Sequence, residues 1–134
     1  MTVIVTDAGF GSETWTAGFE AETTLDLASD TDPATLSDRL AGVEIIRIDF
    51  PSFADGRGFT LARQLRLMGY GGRLRAKGHV LADQYAMARR TGFDEVEISD
   101  ELAARQPQEQ WLARAQWGAH NYQARLRAQS NAAR

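Results

Sequence analysis

Apolar residues along this chain change their spacing several times, and each change marks an element. Val43 to Phe50 is dense in β-branched residues, and Pro51 closes the run because proline cannot donate to a strand ladder. That pattern predicts a central strand over 43–49. Phe59, Leu61, Ala62, Leu65 and Met68 then repeat at three- and four-residue intervals, predicting a helix near 58–68 that Gly69 terminates. After a turn at Tyr70, Gly71 and Gly72, Leu74 and Ala76 alternate with Arg73, Arg75 and Lys77. This predicts a short strand over 73–77 with one wet face, a candidate sheet edge. Leu81, Tyr85 and Ala88 predict a helix near 79–91 with Gly92 as its cap, and Val96 with Ile98 predicts a strand over 94–98. Ser99 is a good N-cap for a helix over 100–105. Pro107 starts a longer one with Trp111, Ala115, Tyr122 and Leu126 as its stripe.

Upstream of residue 43 the pattern is weaker. Val3 to Val5 reads as a short strand, followed by a Gly- and Thr-rich stretch in which Trp15 and Phe19 are the anchors. Thr24 to Leu27 reads as another strand, and Asp32 with Pro33 predicts a helix over 33–40. Strands alternating with helices predict a small α/β domain with a parallel sheet of repeated βα units. An open, doubly wound sheet is the expected form, with an arc resembling half of a β/α barrel as the alternative. Residues 1–134 are read as one domain whose tail, 128–134, frays.

Composition bears on this picture by exclusion. With 134 residues, 43% hydrophobic and 25% charged, the chain can bury a core. It has no apolar run near the roughly 20 residues of a membrane span, and its start lacks a signal-peptide pattern, so a cytoplasmic protein is expected. There is no cysteine, and the only imidazoles are His79 and His120, so no structural metal is expected. Gly56 and Gly58 lack a third glycine at dinucleotide spacing, and Gly71-Gly72 leads into a strand, so no cofactor is expected. Net charge is −3 and Lys77 is the one lysine, which disfavours nucleic acid. The first 38 residues hold eight acids and no Lys or Arg, whereas residues 107–134 hold four arginines and one acid. These ends either lie against each other, are solvated, or form a docking surface.

Parallel sheets gather ligands at the carboxyl ends of their strands. That rule selects the loop from Pro51 to Gly58, the Lys77-Gly78-His79 turn and the start of the 100–105 helix, bringing Ser52, Asp55, Arg57, Lys77, His79 and Ser99 towards one edge. Arg57 and Lys77 there would suit a small oxyanion. The competing reading is structural: Ser52 and Asp55 are turn and capping residues, and Gly56 and Gly58 let the backbone turn. His79 is either an acid–base group or a solvated capping side chain.

The run from Phe50 to Arg63, then Leu65-Arg66, Gly69-Tyr70, Gly72, Leu74-Arg75-Ala76, Gly78, Val80-Leu81, Asp83-Gln84 and Arg90 to Asp94, resembles a bacterial family. Its members are labelled oxidoreductases of sulfite reduction. The resemblance is close over residues 43–98 and looser at Leu25-Leu27 and Thr31-Asp32-Pro33. It implies association with assimilatory sulfite reduction, with genes beside those for sulfite reductase, and it implies no catalytic residues. Many members resemble Gly-Asp where this chain has Gly78-His79, so weight moves to the matching Asp55, Arg57, Arg63, Arg75, Asp83 and Gln84. Two functions follow as expectations. One is an accessory protein that binds sulfite reductase or another sulfur-assimilation protein; the other is a small enzyme or sensor that binds sulfite, sulfate or a phosphorylated metabolite at the strand ends.

Overall fold

The structure, a computed structural model, describes residues 2–20 and 22–117. One sheet holds β1 (Thr2–Thr6), β2 (Gly9–Gly11), β3 (Thr24–Ala28), β4 (Ile45–Phe50), β5 (Arg73–Gly78) and β6 (Glu95–Ser99) in the order β2-β1-β6-β5-β4-β3. Strands β3 to β6 are parallel, and β1 runs antiparallel to both β2 and β6. Helix α1 (Arg57–Leu67) joins β4 to β5, α2 (Tyr85–Thr91) joins β5 to β6, and α3 (Asp100–Arg105) and α4 (Gln108–Leu112) follow.

The α/β class and the parallel βα repeat are as the spacing predicts. Two details differ. The parallel strands lie in chain order, as in the arc-like alternative, and show no reversal of strand order of the kind that defines a doubly wound sheet. Second, β5 is interior, paired with β4 on one side and β6 on the other. Its alternating arginines mark a buried charged layer, described below, and no edge.

One face of the sheet is apolar. Leu25, Leu27, Ile46, Ile48, Phe50, Leu74, Ala76, Val96 and Ile98 share it by register and are all buried, with Phe59, Ala62, Leu65, Tyr85, Ala88 and Phe93 packed over them. Each large side chain so buried contributes roughly 1.5–3 kcal/mol. The Phe50 ring lies 4.9 Å from Phe59 and 5.8 Å from Phe93. Gly58 has a packing role here, since a Cβ at that position would collide with the Phe50 ring. Neither Gly56 nor Gly58 has a positive φ, so neither serves the expected sharp turn in that way, and Gly58 instead permits the close approach of α1 to β4.

Local signals act mostly where expected. Asp32 accepts from Ala34 N at 3.0 Å, although the element it caps is a single 3-10 turn, Pro33–Leu36, shorter than the predicted helix. Gly69 ends α1 with φ +97°, while Tyr70 N donates to Leu65 O. The predicted 79–91 helix begins instead as a 3-10 turn, Ala82–Gln84, before α2. The predicted stripe residues Tyr122 and Leu126, and the 128–134 tail, lie outside the described residues. Among those described, no helix is long and apolar enough to cross a membrane.

Strands β2 and β3 occupy opposite edges, so residues 12–23 must cross the whole sheet. Five inter-strand spacings make that about 24 Å, well within the reach of the segment.

Candidate functional site

The loops selected from the sequence leave the carboxyl edge of β4, β5 and β6, where register sets Asp49 beside Lys77 and Phe50 beside Gly78. The loop after β4 is tied down by Asp55. Its carboxylate accepts from Ser29 Oγ at 2.6 Å, from Arg57 Nε at 3.0 Å and from Arg57 Nη2 at 2.9 Å, and it also caps Arg57 N. The guanidinium of Arg57, followed by the Ser29 hydroxyl, holds this carboxyl well below the usual range, so it stays ionised. Gln84 is a second brace. Its Oε1 accepts from Leu81 N and its Nε2 donates to Phe53 O, joining the loop after β4 to the turn before α2.

His79 sits differently. Its Nδ1 lies 3.1 Å from Phe50 O, a carbonyl that can only accept, so this nitrogen is the donor in the contact. The ring stands edge-on to Phe53 at 4.9 Å, beside a cavity of about 220 Å³ lined also by Ser99, Glu101 and Arg105. Arg57 faces a separate depression of about 250 Å³ with Ser29, Thr31, Thr60 and Gln64. The two loops therefore share an edge of the sheet, with Arg57 and His79 bordering different depressions of it.

The remaining predicted residues scatter. Ser52 is exposed and its carbonyl accepts from Asp55 N. Arg63 is exposed on the outer side of α1. Asp83 is exposed and takes Arg114 Nη2 at 2.8 Å. Ser99 caps α3 by accepting from Leu102 N. Arg75 is fully buried, on the sheet face opposite the helices.

That second face carries most of the charge of the sheet. By alternation it presents Asp26 from β3, Arg47 and Asp49 from β4, Arg73, Arg75 and Lys77 from β5, and Glu95 and Glu97 from β6. Arg47 bridges Asp26 at 2.7 Å and Glu97 at 3.3 Å; Arg75 bridges Glu97 at 2.9 Å and Glu95 at 2.6 Å; Arg73 meets Glu95 at 2.7 Å. Burial works against the charge on Arg75, yet the surrounding carboxylates outweigh it and raise its pKa. The crossing segment seals the layer. Glu13 grips both Nη atoms of Arg75 at 2.6 and 2.7 Å, Thr14 accepts from Arg73, and Phe19 lies 3.7 Å over Arg47. Hydrogen bonding from Arg75 holds the Glu13 carboxyl below its ordinary range.

Residues 24–132 match the family model described as "Bacterial protein of unknown function (DUF934)". The chain belongs to that family. Neither the curated proteins nor the solved structures gave a match. The DUF934 description names no reaction, and the matched span contains the charged strand residues from Asp26 to Glu97 together with both strand-edge depressions.

Sequence reasoning missed the charged layer as a unit. The signal was present: parallel strands covered on both faces read as continuous apolar runs, so Arg-x-Arg-x-Lys beside Glu-x-Glu points to a paired ionic face. Among the described residues the two chain ends do lie against each other, with Phe10 N donating to Gln108 and Trp117 Nε1 to Asp7, but their charges do not pair as a block, since Asp7 takes Arg89, Glu13 takes Arg75, and Arg114 takes Asp83.

Proposed function

We propose that this DUF934 chain is an accessory protein of assimilatory sulfite reduction that binds a component of the sulfite-reducing machinery. The sulfur assignment rests on the sequence resemblance over residues 43–98. The observation that favours binding over chemistry is that Asp55, Gln84 and Ser99, three of the polar groups at the strand edge, are spent on internal hydrogen bonds. A general acid or base needs a group free to reach substrate. Large exposed apolar side chains, by contrast, gather on the helix layer at Leu67, Met68 and Met87, with Arg63 and Arg90 exposed on the same two touching helices. Arginine and methionine with apolar neighbours are common at protein interfaces.

Affinity capture with the tagged full chain, from cells growing on sulfate as sole sulfur source, is the test. Enrichment of sulfite reductase or another sulfur-assimilation protein is expected, and enrichment of none contradicts the reading. A flavin or haem absorbance band in the purified protein would also count against a purely accessory role.

One observation supports a second reading, a small anion site. The ring of His79 and the guanidinium of Arg105 border one cavity, where Arg105 could donate to an anion. Calorimetric titration with sulfite, sulfate and phosphate should then give saturable binding that Arg105→Ala weakens; no binding of any of the three removes this reading.

A further inference from the structure

The segment over the charged face is held in an unusual way. Residues 12–20 are all exposed or half-buried, and among the described residues no backbone-to-backbone hydrogen bond fastens them to a strand. Side chains alone attach them: Glu13 to Arg75, Thr14 to Arg73, Trp15 facing Arg73 at 5.9 Å, and Phe19 over Arg47 at 3.7 Å. Among the described residues, the other polar bonds of the segment are its own, from Trp15 N to Glu13 and from Trp15 Nε1 to Gly18 O.

Beneath the segment the layer is nearly complete without it. Glu95 takes Nε of Arg75, Glu97 takes Nη1, and Asp26 with Glu97 satisfies Arg47. Lifting residues 12–20 would leave those pairs intact and open three features in a row across β4 and β5. They are the outer fork of the Arg75 guanidinium and the flat faces of Arg47 and Arg73. A guanidinium fork matches a carboxylate in two parallel hydrogen bonds, and guanidinium faces stack on aromatic rings.

From this we infer that the charged face is a binding site for an extended acidic–aromatic segment of a partner protein, and that residues 12–20 occupy it in cis as a competing pseudo-ligand. The recognition pattern is the segment's own: a carboxylate, an aromatic residue two positions later and a second aromatic four beyond that, as in Glu13, Trp15 and Phe19. A small anion fills only the first position, so the aromatic slots select a peptide. The site lies on the far face from the α1–α2 surface, and it does not depend on the sulfite-reduction reading.

The test uses the full chain carrying Glu13→Gln, Trp15→Ala and Phe19→Ala together, with a fluorescein-labelled peptide of residues 11–20 as probe. Fluorescence anisotropy should show the peptide binding this open variant at least about tenfold more tightly than wild type, the factor that removing a competing bidentate pair permits. A probe with Gln in place of Glu13 should bind about tenfold more weakly, and acetate should not displace the parent peptide at equal molar excess. Equal binding to both proteins, no binding to the open variant, or full displacement by acetate would overturn the proposal. So would loss of folding in the open variant, because it would make the segment a structural layer. In unmodified protein, added peptide should shift the indole NMR signal of Trp15, and an unmoved signal at saturating peptide contradicts displacement. A concentration-dependent dimer of wild type that the peptide dissolves would assign the site to a second copy and overturn the partner reading.

Discussion

The two faces of the sheet solve the same problem by opposite chemistry. On the helix side, Ile46, Ile48, Leu74, Val96 and Ile98 are removed from water by α1 and α2, and their burial needs no partner of particular shape or charge. On the other side, Arg75, Glu95 and Glu97 are just as buried, but each is tolerable only because another is present. The apolar face supplies stability that survives local change. The charged face supplies selectivity, since every group there specifies its neighbour, and its cover is a chain segment attached by side chains.

The largest expected effects break one face at a time. Phe50→Ala should cost about 3–5 kcal/mol by leaving a cavity among Phe59, Phe93 and Gly58, read as a lower midpoint in urea. Arg75→Ala should cost up to a similar ~3–5 kcal/mol, because it removes the shared partner of two buried carboxylates and leaves Glu95 to Arg73 and Glu97 to Arg47 alone. The faces separate in the rescue. Adding Glu95→Leu and Glu97→Leu to an Arg75→Met chain should restore most of the stability, as apolar replacement of a buried ion network often does, whereas no neighbouring charge change can rescue Phe50→Ala. If the triple apolar variant is no more stable than Arg75→Ala, the charged face holds the fold by more than pairing.

A smaller effect concerns the strand edge. Gln84→Ala should cost roughly 1–3 kcal/mol, since it releases Leu81 N and Phe53 O together. Smaller again is the response to acid. The Glu13 carboxyl is held below its ordinary range, so its contribution is complete above that range and fades as pH falls through the lowered value. The Trp15 indole signal should therefore move towards a free position only on acidification below the ordinary glutamate range. Movement near neutral pH would contradict the Glu13–Arg75 pairing. Arg63→Ala, on an exposed helix position, should change stability by less than ~0.5 kcal/mol, and any effect it has should appear in partner capture instead.

What could be read from the sequence follows the same division. The elements built on apolar spacing, from β4 through α3, lie close to their predicted places, save that the 79–91 helix becomes regular only at Tyr85, because burial of a stripe or an alternating face is a local pattern. The strand β2 was hidden, as Gly9, Phe10 and Gly11 carry too little pattern to declare a strand before β1 is known to pair with it. At the candidate site, Asp55 and Gln84 were legible as important positions but not as braces, because their partners Ser29, Phe53 and Leu81 come from other loops. The resemblance places Arg75 among site residues, while its alternation with Arg73 and Lys77 suggests a wet edge. Only the register of β5 between β4 and β6, together with a segment crossing from the opposite edge, shows that the arginine is buried and gripped by Glu13.

The most direct measurement of the contrast is amide hydrogen exchange on the unmodified full chain, resolved by segment. Residues 12–20, lacking backbone partners, should exchange at least about a hundredfold faster than the amides of β4, β5 and β6, which lie within the sheet ladder. Protection of residues 12–20 comparable to that of the central strands would contradict the account, since it would make the cover over Arg75 as fixed as the core beneath it.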